Sequence, residues 1–499
     1  MTLEEPDRIH GVHVEFLAII FIIAAVVWTA ALLRGLSFAG IGKVNIIPLL
    51  TMCVVVLGAV AGPDLFSVDI GPLKISLDRL VLFAVLALCG WLYVTNREDL
   101  RPLNRLDVAV FAVILLLIAS TAAHDFAFKK HMPVARLLFF YLLPFAVYMV
   151  ARTAKTTEMN LKLCQFAFVL LAVYLAVTAI CEVKGLHGFV FPRYIIESET
   201  TEFLGRGRGP FLNPVSNGMF LLIGLCCLWF WWSAAKRTRY KVVIMVLSVL
   251  ICGGIYATLT RSVWMSLIAA AFLLIFLPAR QHQKGAMIVV GAVLMIALAP
   301  KLLPKLTSFK RDKNVTVAHM QESAQLRPLF FTVAWRMFQD RPLLGCGFGQ
   351  YSREKNPYLQ DAYTGKPLEK TAVYTQHNVF LAYLTETGLL GMGGLIAMMA
   401  LMTRVAWRVW DRPEGSLISR QFGMLLGAML LAYAGNGMFH DVSLIPMGNM
   451  LLFFLAGVAN NIFSHQRGHL RITPKRQRRE TTTVPSSPFE AHTVPAASS

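Results

Sequence analysis

Long apolar stretches, separated by short polar loops, run along most of this chain and restrict it to one broad fold class. Of its 499 residues, 56% are hydrophobic and only 15% are charged. Soluble domains carry about a quarter charged residues, whereas a helix that crosses a membrane needs about 20 mostly apolar residues. The sequence therefore predicts an all-α polytopic membrane protein with about 12–14 transmembrane helices.

Thirteen stretches meet the length criterion for a transmembrane helix. They are 14–33, 44–62, 76–95, 106–123, 133–151, 161–182, 215–235, 241–258, 262–279, 285–300, 378–403, 417–436 and 446–463. The first stretch follows an acidic segment without a small-residue cleavage site, so we interpret it as an uncleaved span and not as a signal peptide.

The distribution of Lys and Arg predicts how these helices are oriented. The net charge is +19, and much of it lies in alternate short loops such as 236–241 and 404–412. Because cytoplasmic loops carry the excess of Lys and Arg, these loops should be cytoplasmic, with the N-terminus outside and the C-terminus inside. This topology accounts for the charge, and we expect no nucleic-acid binding.

Two outward segments, 183–214 and 301–376, interrupt the regular alternation of helix and loop. The second segment is too long and too patterned to be a plain connector. Within it, residues 324–340 place apolar side chains on one helical face. This spacing predicts an amphipathic helix that lies at the membrane–water boundary or caps the helix bundle.

Three arginines at the ends of predicted helices are candidates for binding a phosphate-bearing lipid. Arg206 and Arg208 lie in the loop GRGRGPFLNP, and Arg261 follows a long apolar run. Arginine has a permanent charge and a planar fork that matches phosphate oxygens. The alternative interpretations are a solvated basic loop for the first two and, for Arg261, a side chain that reaches the outer headgroups.

A histidine at the start of another predicted helix is the candidate catalytic residue. His377 opens the stretch HNVFLAYL, with Asn378 beside it. A neutral histidine at a helix N-terminus suits a general base, although an interfacial or capping histidine is the alternative. Arg327, Arg341 and Asn378 are candidate substrate contacts. The two arginines flank the amphipathic segment and could instead be parts of a solvated face. Together, these residues indicate a membrane-embedded transferase that acts on lipid-linked substrates.

Other polar residues predict structural roles or no site. Adjacent His440 and Asp441 do not share a helical face, so we interpret them as structural. An acidic cluster (Glu197, Glu199, Glu202) could hold a divalent ion or only balance the nearby arginines. The sequence contains no DxD and no CxxC motif, so we expect no metal site, and the eight cysteines should be small packing residues.

Four motifs in order resemble the O-antigen ligase and O-antigen polymerase superfamily of bacterial membrane glycosyltransferases. They are GRGRGPFLNPVSNG with Arg206, TLTRSVWMSL with Arg261, the segment LRPLFFTVAWRMFQDRPLLGCGFGQY, and QHNVFLAYLTETGLLG with His377. The resemblance spans roughly residues 200–400. One departure is Asn213-Pro214-Val215, where the family commonly has Asn-Pro-Asn.

The resemblance implies a multi-pass protein of the bacterial inner membrane that works on its periplasmic side without a metal, nucleotide or other cofactor. Its substrate would be a glycan linked to undecaprenyl pyrophosphate, and its acceptor another glycan, lipid A-core or a protein. The arginines would bind the pyrophosphate, with Arg206 in the motif's leading position and Arg208 competing for the role. His377 would deprotonate the acceptor hydroxyl.

The same resemblance suggests a division of the chain. We predict N-terminal transmembrane helices (1–200), a ligase-like transmembrane core (201–463) that includes the periplasmic loop 301–376, and a disordered cytoplasmic tail (464–499). The main alternative function is a transporter or flippase for lipid-linked glycans, which would favour charges deep in several helices and inverted repeats. A third interpretation is a peptidoglycan polymerase, which would use an essential outward Asp in place of His377.

Overall fold

The computed structural model describes most of the chain from residue 45 to residue 472. The described ranges are 45–62, 67–70, 73–76, 102–126, 132–196, 203–281, 283–288, 317–360 and 365–472, with six further positions between 79 and 90.

Helices make up nearly all of the regular structure in these ranges. They are α1 (Ile46–Ala61), α2 (Arg105–Ala123), α3 (Pro133–Thr153, with a π-helical turn at Leu138–Leu142), α4 (Glu158–Lys184), α5 (Pro214–Ala234), α6 (Thr238–Ala257), α7 (Arg261–Phe276), α8 (Val317–Asp340), α9 (Tyr351–Glu354), α10 (Val379–Trp410), α11 (Leu417–Gly437) and α12 (Pro446–Ile472). Short 3₁₀ turns lie at His187–Phe189, Arg193–Ile195, Gly209–Phe211, Asn356–Tyr358, Leu368–Thr371 and Val442–Leu444. One antiparallel hairpin, β1 (Ser67–Ile70) with β2 (Leu73–Ser76), was not predicted from the sequence.

Eight of the described helices are long and apolar enough to cross a membrane, namely α2 to α6 and α10 to α12. Two shorter apolar helices, α1 and α7, accompany them. The prediction of an all-α polytopic membrane protein is therefore confirmed. Ten of the thirteen predicted spans coincide with these helices, whereas 14–33, 76–95 and 285–300 lie wholly or mostly outside the described residues. The full number of spans stays a prediction.

Local sequence signals place the helix ends. The side chains of Asn104, Asn213 and Asn378 accept hydrogen bonds from backbone N–H groups in the first turns of α2, α5 and α10. These N–H groups have no partner within the helix, which is why asparagine is favoured there. At the C-terminal end of α4, Gly185 adopts a left-handed conformation with φ 71°. Glycine ends the helix in this way without steric cost.

The transmembrane helices share one large buried core. Helix α3 packs along α12, while α4 packs along both α5 and α6. Small residues permit the close approach of α4 to its neighbours: a Cβ atom added at Gly224 would lie 2.2 Å from the Cβ of Ala172, and one at Gly254 would lie 2.7 Å from that of Ala176. Such small-residue contacts are a common way for helices to associate in membranes.

A buried ion pair joins three helices at the end of the bundle that carries the predicted cytoplasmic loops. Arg152 donates to Asp107 through Nε (2.9 Å) and Nη2 (2.8 Å), and both side chains are almost fully buried. Tyr148 and Asn460 also donate to this carboxylate, at 2.6 and 2.9 Å. The charge of Arg152 is therefore paired and hydrogen-bonded, as buried charges must be.

Between α7 and α10, the described residues 317–360 and 365–378 lie at one end of the bundle and have a small core of their own. Helix α8 contributes Val333 and Met337 to this core, which also contains Cys346, Tyr351 and Leu368. The predicted amphipathic helix is therefore present, and it extends from Val317 to Asp340. Most cysteines among the described residues are buried, as expected for packing residues, although Cys252 is exposed.

Candidate functional site

The glycine- and arginine-rich loop is held against the end of α6. The backbone N–H of Gly207 donates to the carbonyl of Ala257 at 2.8 Å, and Asn217 Nδ2 donates to the carbonyl of Gly207 at 2.9 Å. A Cβ atom on residue 207 would lie 2.7 Å from the Cβ of Ala179, so only glycine fits here. This contact brings Arg206 close in the fold to the chain turn that leads into Arg261.

Two arginines of this loop have different environments although only one residue separates them. Arg208 is fully buried, and its Nε lies 3.1 Å from a carboxylate oxygen of Glu182. It also donates to the carbonyl of Ile195. The carboxylate of Glu182 also accepts hydrogen bonds from the backbone N–H groups of Arg208 and Gly209, at 2.8 and 3.1 Å. In contrast, Arg206 is half-buried and its guanidinium lies 5.3 Å from the ring centre of Phe203.

Arg261 is the first residue of α7, which begins after Thr260. Its helix is tied to α11 because Asn436 Nδ2 donates to the Oγ of Ser266 at 3.0 Å. Asn378, the cap of α10, donates from Nδ2 to the carbonyl of Met438, just beyond α11, at 3.1 Å. The beginnings of α7 and α10 therefore both lie beside the end of α11.

His377 immediately precedes this cap and packs against two aromatic rings, which also contact each other. Its imidazole is centred 5.2 Å from the ring of Phe330 on α8 and 5.9 Å from the ring of Tyr374. Its side chain is half-buried. Gln376, directly before it, is buried and donates from Nε2 to the Oγ1 of Thr385 at 3.0 Å. The residues on both sides of His377 are thus anchored to neighbouring helices.

The charges that act on His377 are positive. The pKa of His377 is lowered below its ordinary 6.5. Burial is the largest cause, and the positive charges of Arg327 and Lys355 lower the pKa further. Loss of solvent lowers the pKa of Arg327, and the charge of Arg261 lowers it further. Arg261, Arg327 and Lys355 therefore act on one another or on His377, and we call these four residues the cationic cluster. Its positive charges favour the neutral form of the imidazole.

Strained backbone is concentrated in the same loops. Among the described residues, four non-glycine residues have a positive φ: Phe203, Leu212, Leu259 and His377. The first two flank Arg206 and Arg208, and the third lies two residues before Arg261. For residues other than glycine this conformation costs about 1–3 kcal/mol and is found most often at functional sites.

The remaining predicted contacts differ in their positions. Arg327 stacks on the ring of Phe439 with its Cζ 4.9 Å from the ring centre, so it lies at the cationic cluster. Arg341 instead pairs with Glu354 at 3.5 Å and is half-exposed. Asp441 accepts from the backbone and side chain of Ser443 at 3.2 and 2.5 Å, in agreement with a structural role. Glu197, Glu199 and Glu202 lie outside the described residues.

Sequence reasoning missed the break in α10 and the loop that fills it. Gly388 has a φ of 63° within the helix, and the segment 342–349 packs against this break. Cys346 and Gly347 donate from their backbone N–H groups to the carbonyls of Thr385 and Glu386, at 2.9 and 3.0 Å. The glycine at the middle of TETGLLG and the glycines of PLLGCGFG are the only sequence signals for this contact.

A second missed feature is a buried ion pair that connects α3 to α10 and that also contacts this loop. Arg136 Nη1 lies 2.8 and 3.0 Å from the two carboxylate oxygens of Glu386, and its Cζ lies 4.4 Å from the ring centre of Phe348. Gly349 also donates to Glu386 at 3.1 Å. No local pattern could reveal this pair, because 250 residues separate its members.

Lys355 was also missed as a part of the site. It is buried, and its ammonium group donates to the carbonyls of Thr371 and Tyr374 at 3.3 and 2.6 Å. These bonds hold the loop that leads to His377. A lysine in a polar stretch gives no sequence signal of burial.

Fold and site together define a polytopic membrane protein with a cationic cluster that includes His377 at one end of its helix bundle. Residues 246–396, which include Arg261 and His377, match the O-antigen ligase family model. The O-antigen ligase of Salmonella typhimurium is 23% identical over 265 residues, which make up 51% of this chain and 63% of that relative. Both matches support the O-antigen ligase and polymerase superfamily, and they confirm the resemblance seen in the sequence.

Proposed function

We propose that this protein is a glycosyltransferase of cell-surface polysaccharide biosynthesis. It moves a glycan from undecaprenyl pyrophosphate to an acceptor hydroxyl, on the periplasmic side of the bacterial inner membrane. The observation that carries the proposal is the cluster in which Arg327 and Lys355 lower the pKa of His377, and Arg261 in turn acts on Arg327. Cations suit a pyrophosphate, and a neutral imidazole suits a base.

Arg206 and Arg261 bind the pyrophosphate in this proposal. The two lie on adjoining turns, joined by the contact between Gly207 and Ala257. We assign the phosphate role to Arg206 and not to Arg208, because the guanidinium of Arg208 is fully buried against Glu182. Arg341 is likewise left out because it pairs with Glu354.

His377 acts as the general base. The acceptor oxygen attacks the anomeric carbon as its proton passes to the imidazole, and the bond from that carbon to the pyrophosphate oxygen breaks with its electron pair. Negative charge grows on the departing pyrophosphate, where fixed guanidinium groups stabilise it. Attack opposite the leaving group inverts the anomeric centre. Asn378 contributes by capping α10 directly after His377, whose backbone is left-handed.

The test is glycan transfer by the purified protein from a carrier-pyrophosphate glycan, with EDTA present. Wild type should form product, and His377→Ala should be slower by about 10²–10⁴-fold, the usual contribution of a general base. Arg341→Ala is the matched control and should retain nearly wild-type activity. The acceptor that receives the glycan would distinguish a polymerase from a ligase.

Two results would contradict the proposal. Normal transfer by His377→Ala would remove the histidine from the mechanism. A wild-type protein that forms no product with carrier-linked repeats, lipid A-core or protein acceptors, yet moves lipid-linked glycan across vesicle membranes, would establish the transporter instead.

A further inference from the structure

The exposed face of α10 is continuous and apolar over most of the helix. Beyond the break, its exposed positions are Leu389, Leu390, Gly393, Ile396, Ala397 and Ala400, followed by Thr403, Arg404, Trp407 and Arg408. Their spacing is that of one helical face. In a membrane-spanning helix, such an apolar face contacts lipid chains, and the arginines and tryptophan at its end mark the headgroup region.

Two leucines from another part of the chain extend this face. Leu343 and Leu344, here called the leucine tip, are 62% and 65% exposed, and Leu389 and Leu390 beside them are 51% and 54% exposed. The backbone N–H groups of Leu389 and Leu390 donate to the carbonyls of Pro342 and Leu343, at 2.8 and 3.3 Å. The leucine tip is thus joined directly to the lipid-facing surface of α10.

Helix geometry gives the depth of this junction. From Leu390 to Arg408, at 1.5 Å per residue, the helix rises about 27 Å. The hydrocarbon core of a bilayer is about 30 Å thick. With Arg408 at the cytoplasmic headgroups, Leu390 lies just inside the opposite boundary of the hydrocarbon, and tilt of α10 would place it deeper.

A non-helical segment at this depth must satisfy its backbone hydrogen-bonding groups within the protein. In the segment 342–349, the backbone N–H groups from Gly345 to Gly349 and the carbonyls of Pro342 and Leu343 are bonded within the protein. Besides the bonds to the α10 break, Gly345 donates to the carbonyl of Arg341 at 3.0 Å, and Phe348 donates to the Oγ of Ser120 at 3.0 Å. A Cβ atom at Gly388 would lie 2.4 Å from the carbonyl of Leu343, so glycine is required for this packing.

From these observations we infer that the leucine tip inserts into the hydrocarbon of the outward-facing leaflet, so that residues 342–349 form a shallow re-entrant loop. The partner is the acyl chains of membrane lipid. Arg341, half-exposed immediately before the tip, lies at headgroup level, where a basic side chain is favoured. The insertion fixes the segment that carries α8, α9 and the loop to His377 against the membrane.

This inference is independent of the proposed reaction because its tests measure chemical accessibility and not activity. Single cysteines replace Leu344, Leu390 and Lys370 in the full chain, which is reconstituted at one copy per phospholipid nanodisc. Lys370 is an exposed residue of the extramembrane segment and serves as the aqueous control, whereas Leu390 is the lipid control. Reaction of the native cysteines in the wild type is subtracted.

The first measurement is the rate of labelling with a charged, membrane-impermeant maleimide. Leu344→Cys and Leu390→Cys should react at least about tenfold more slowly than Lys370→Cys, because the reactive thiolate is disfavoured in an apolar environment. The second measurement is fluorescence of a bimane attached to each cysteine. Nitroxides on lipid acyl chains should quench it at positions 344 and 390 but not at 370.

Three outcomes would overturn the inference. Labelling of Leu344→Cys as fast as Lys370→Cys would place the leucine tip in water. Slow labelling without quenching by the lipid nitroxide would indicate that protein covers it. Protection that appears only with two copies per disc would identify a second copy of the chain as the partner. Because no residue of the proposed cationic cluster is altered, a failure here leaves the proposed function untouched.

Discussion

Charged side chains are arranged in opposite ways in two regions of this molecule. Arg152 and Arg208 each have a carboxylate partner, Asp107 and Glu182, and are almost fully buried. At the cationic cluster, the interacting charges are all positive. The charge of Arg261 lowers the pKa of Arg327, and the charge of Arg327 lowers the pKa of His377. Paired charges stabilise the fold only as pairs, whereas neighbouring like charges repel each other and favour an anionic ligand.

The largest expected effect is on stability and concerns the paired region. Arg208→Leu leaves the carboxylate of Glu182 buried without its cation, which should cost about 3–5 kcal/mol. The loss should appear as a lower melting temperature and a smaller folded fraction in detergent. Adding Glu182→Gln should recover part of it, since a neutral amide oxygen can still accept from the backbone N–H groups of Arg208 and Gly209.

Arg206→Ala is the control for this experiment. Its side chain is only half-buried, so the melting temperature should change little while transfer is impaired. If Arg206→Ala unfolds the protein and Arg208→Leu does not, the distinction between the two arginines is wrong.

The next effect is on activity and concerns the cationic cluster. Arg261→Ala should reduce the rate of transfer by about 10²–10³-fold, the usual cost of removing one group that stabilises a developing charge. Arg261→Lys should retain part of the rate because it keeps the charge but not the bidentate fork. Melting curves taken alongside should match the wild type, and a large fall in stability would instead assign Arg261 to the structural charges.

The smallest effect is a displacement of the pH profile. A base must be neutral, so activity should fall as the pH drops through the lowered pKa of His377. Arg327→Gln removes one of the positive charges that lower it. The pKa should therefore rise, and activity should be lost at a higher pH on acidification. Burial and Lys355 still act, so the displacement is only partial.

The comparison for this profile is Arg341→Gln, which removes a charge that pairs with Glu354. Its normalised profile should coincide with that of the wild type. An Arg327→Gln profile that stays in place, or moves to lower pH, would show that Arg327 does not set the protonation of His377.

Features encoded in neighbouring residues could be predicted from the sequence. The apolar stretches predicted the transmembrane helices. The spacing of Phe330, Val333 and Met337 predicted the amphipathic helix, and these three side chains are buried. The start of α10 at Asn378 was also evident, because the cap and the apolar run are adjacent in the sequence. The division into domains stays a prediction, although α12 continues to Ile472, past the predicted start of the tail.

Features that depend on distant partners could not be predicted. In the sequence GRGRG the two arginines look equivalent. Their environments differ because Glu182, 26 residues before Arg208, pairs with Arg208 and not with Arg206. The break at Gly388 needs the loop 342–349 to satisfy its backbone, and a single glycine in a helix gives no hint of which segment will do so. The roles of the site residues themselves remain proposals.

The ion pair between Arg136 and Glu386 also has a consequence for how the protein is made. At about 5–20 residues per second, the 250 residues between them take about 12–50 s to synthesise. Throughout that interval, Arg136 is a cation on a predicted membrane span, and its carboxylate partner does not yet exist. Because such a guanidinium stays hydrated by reaching the headgroups, we expect α3 to take its final depth only after α10 has been made.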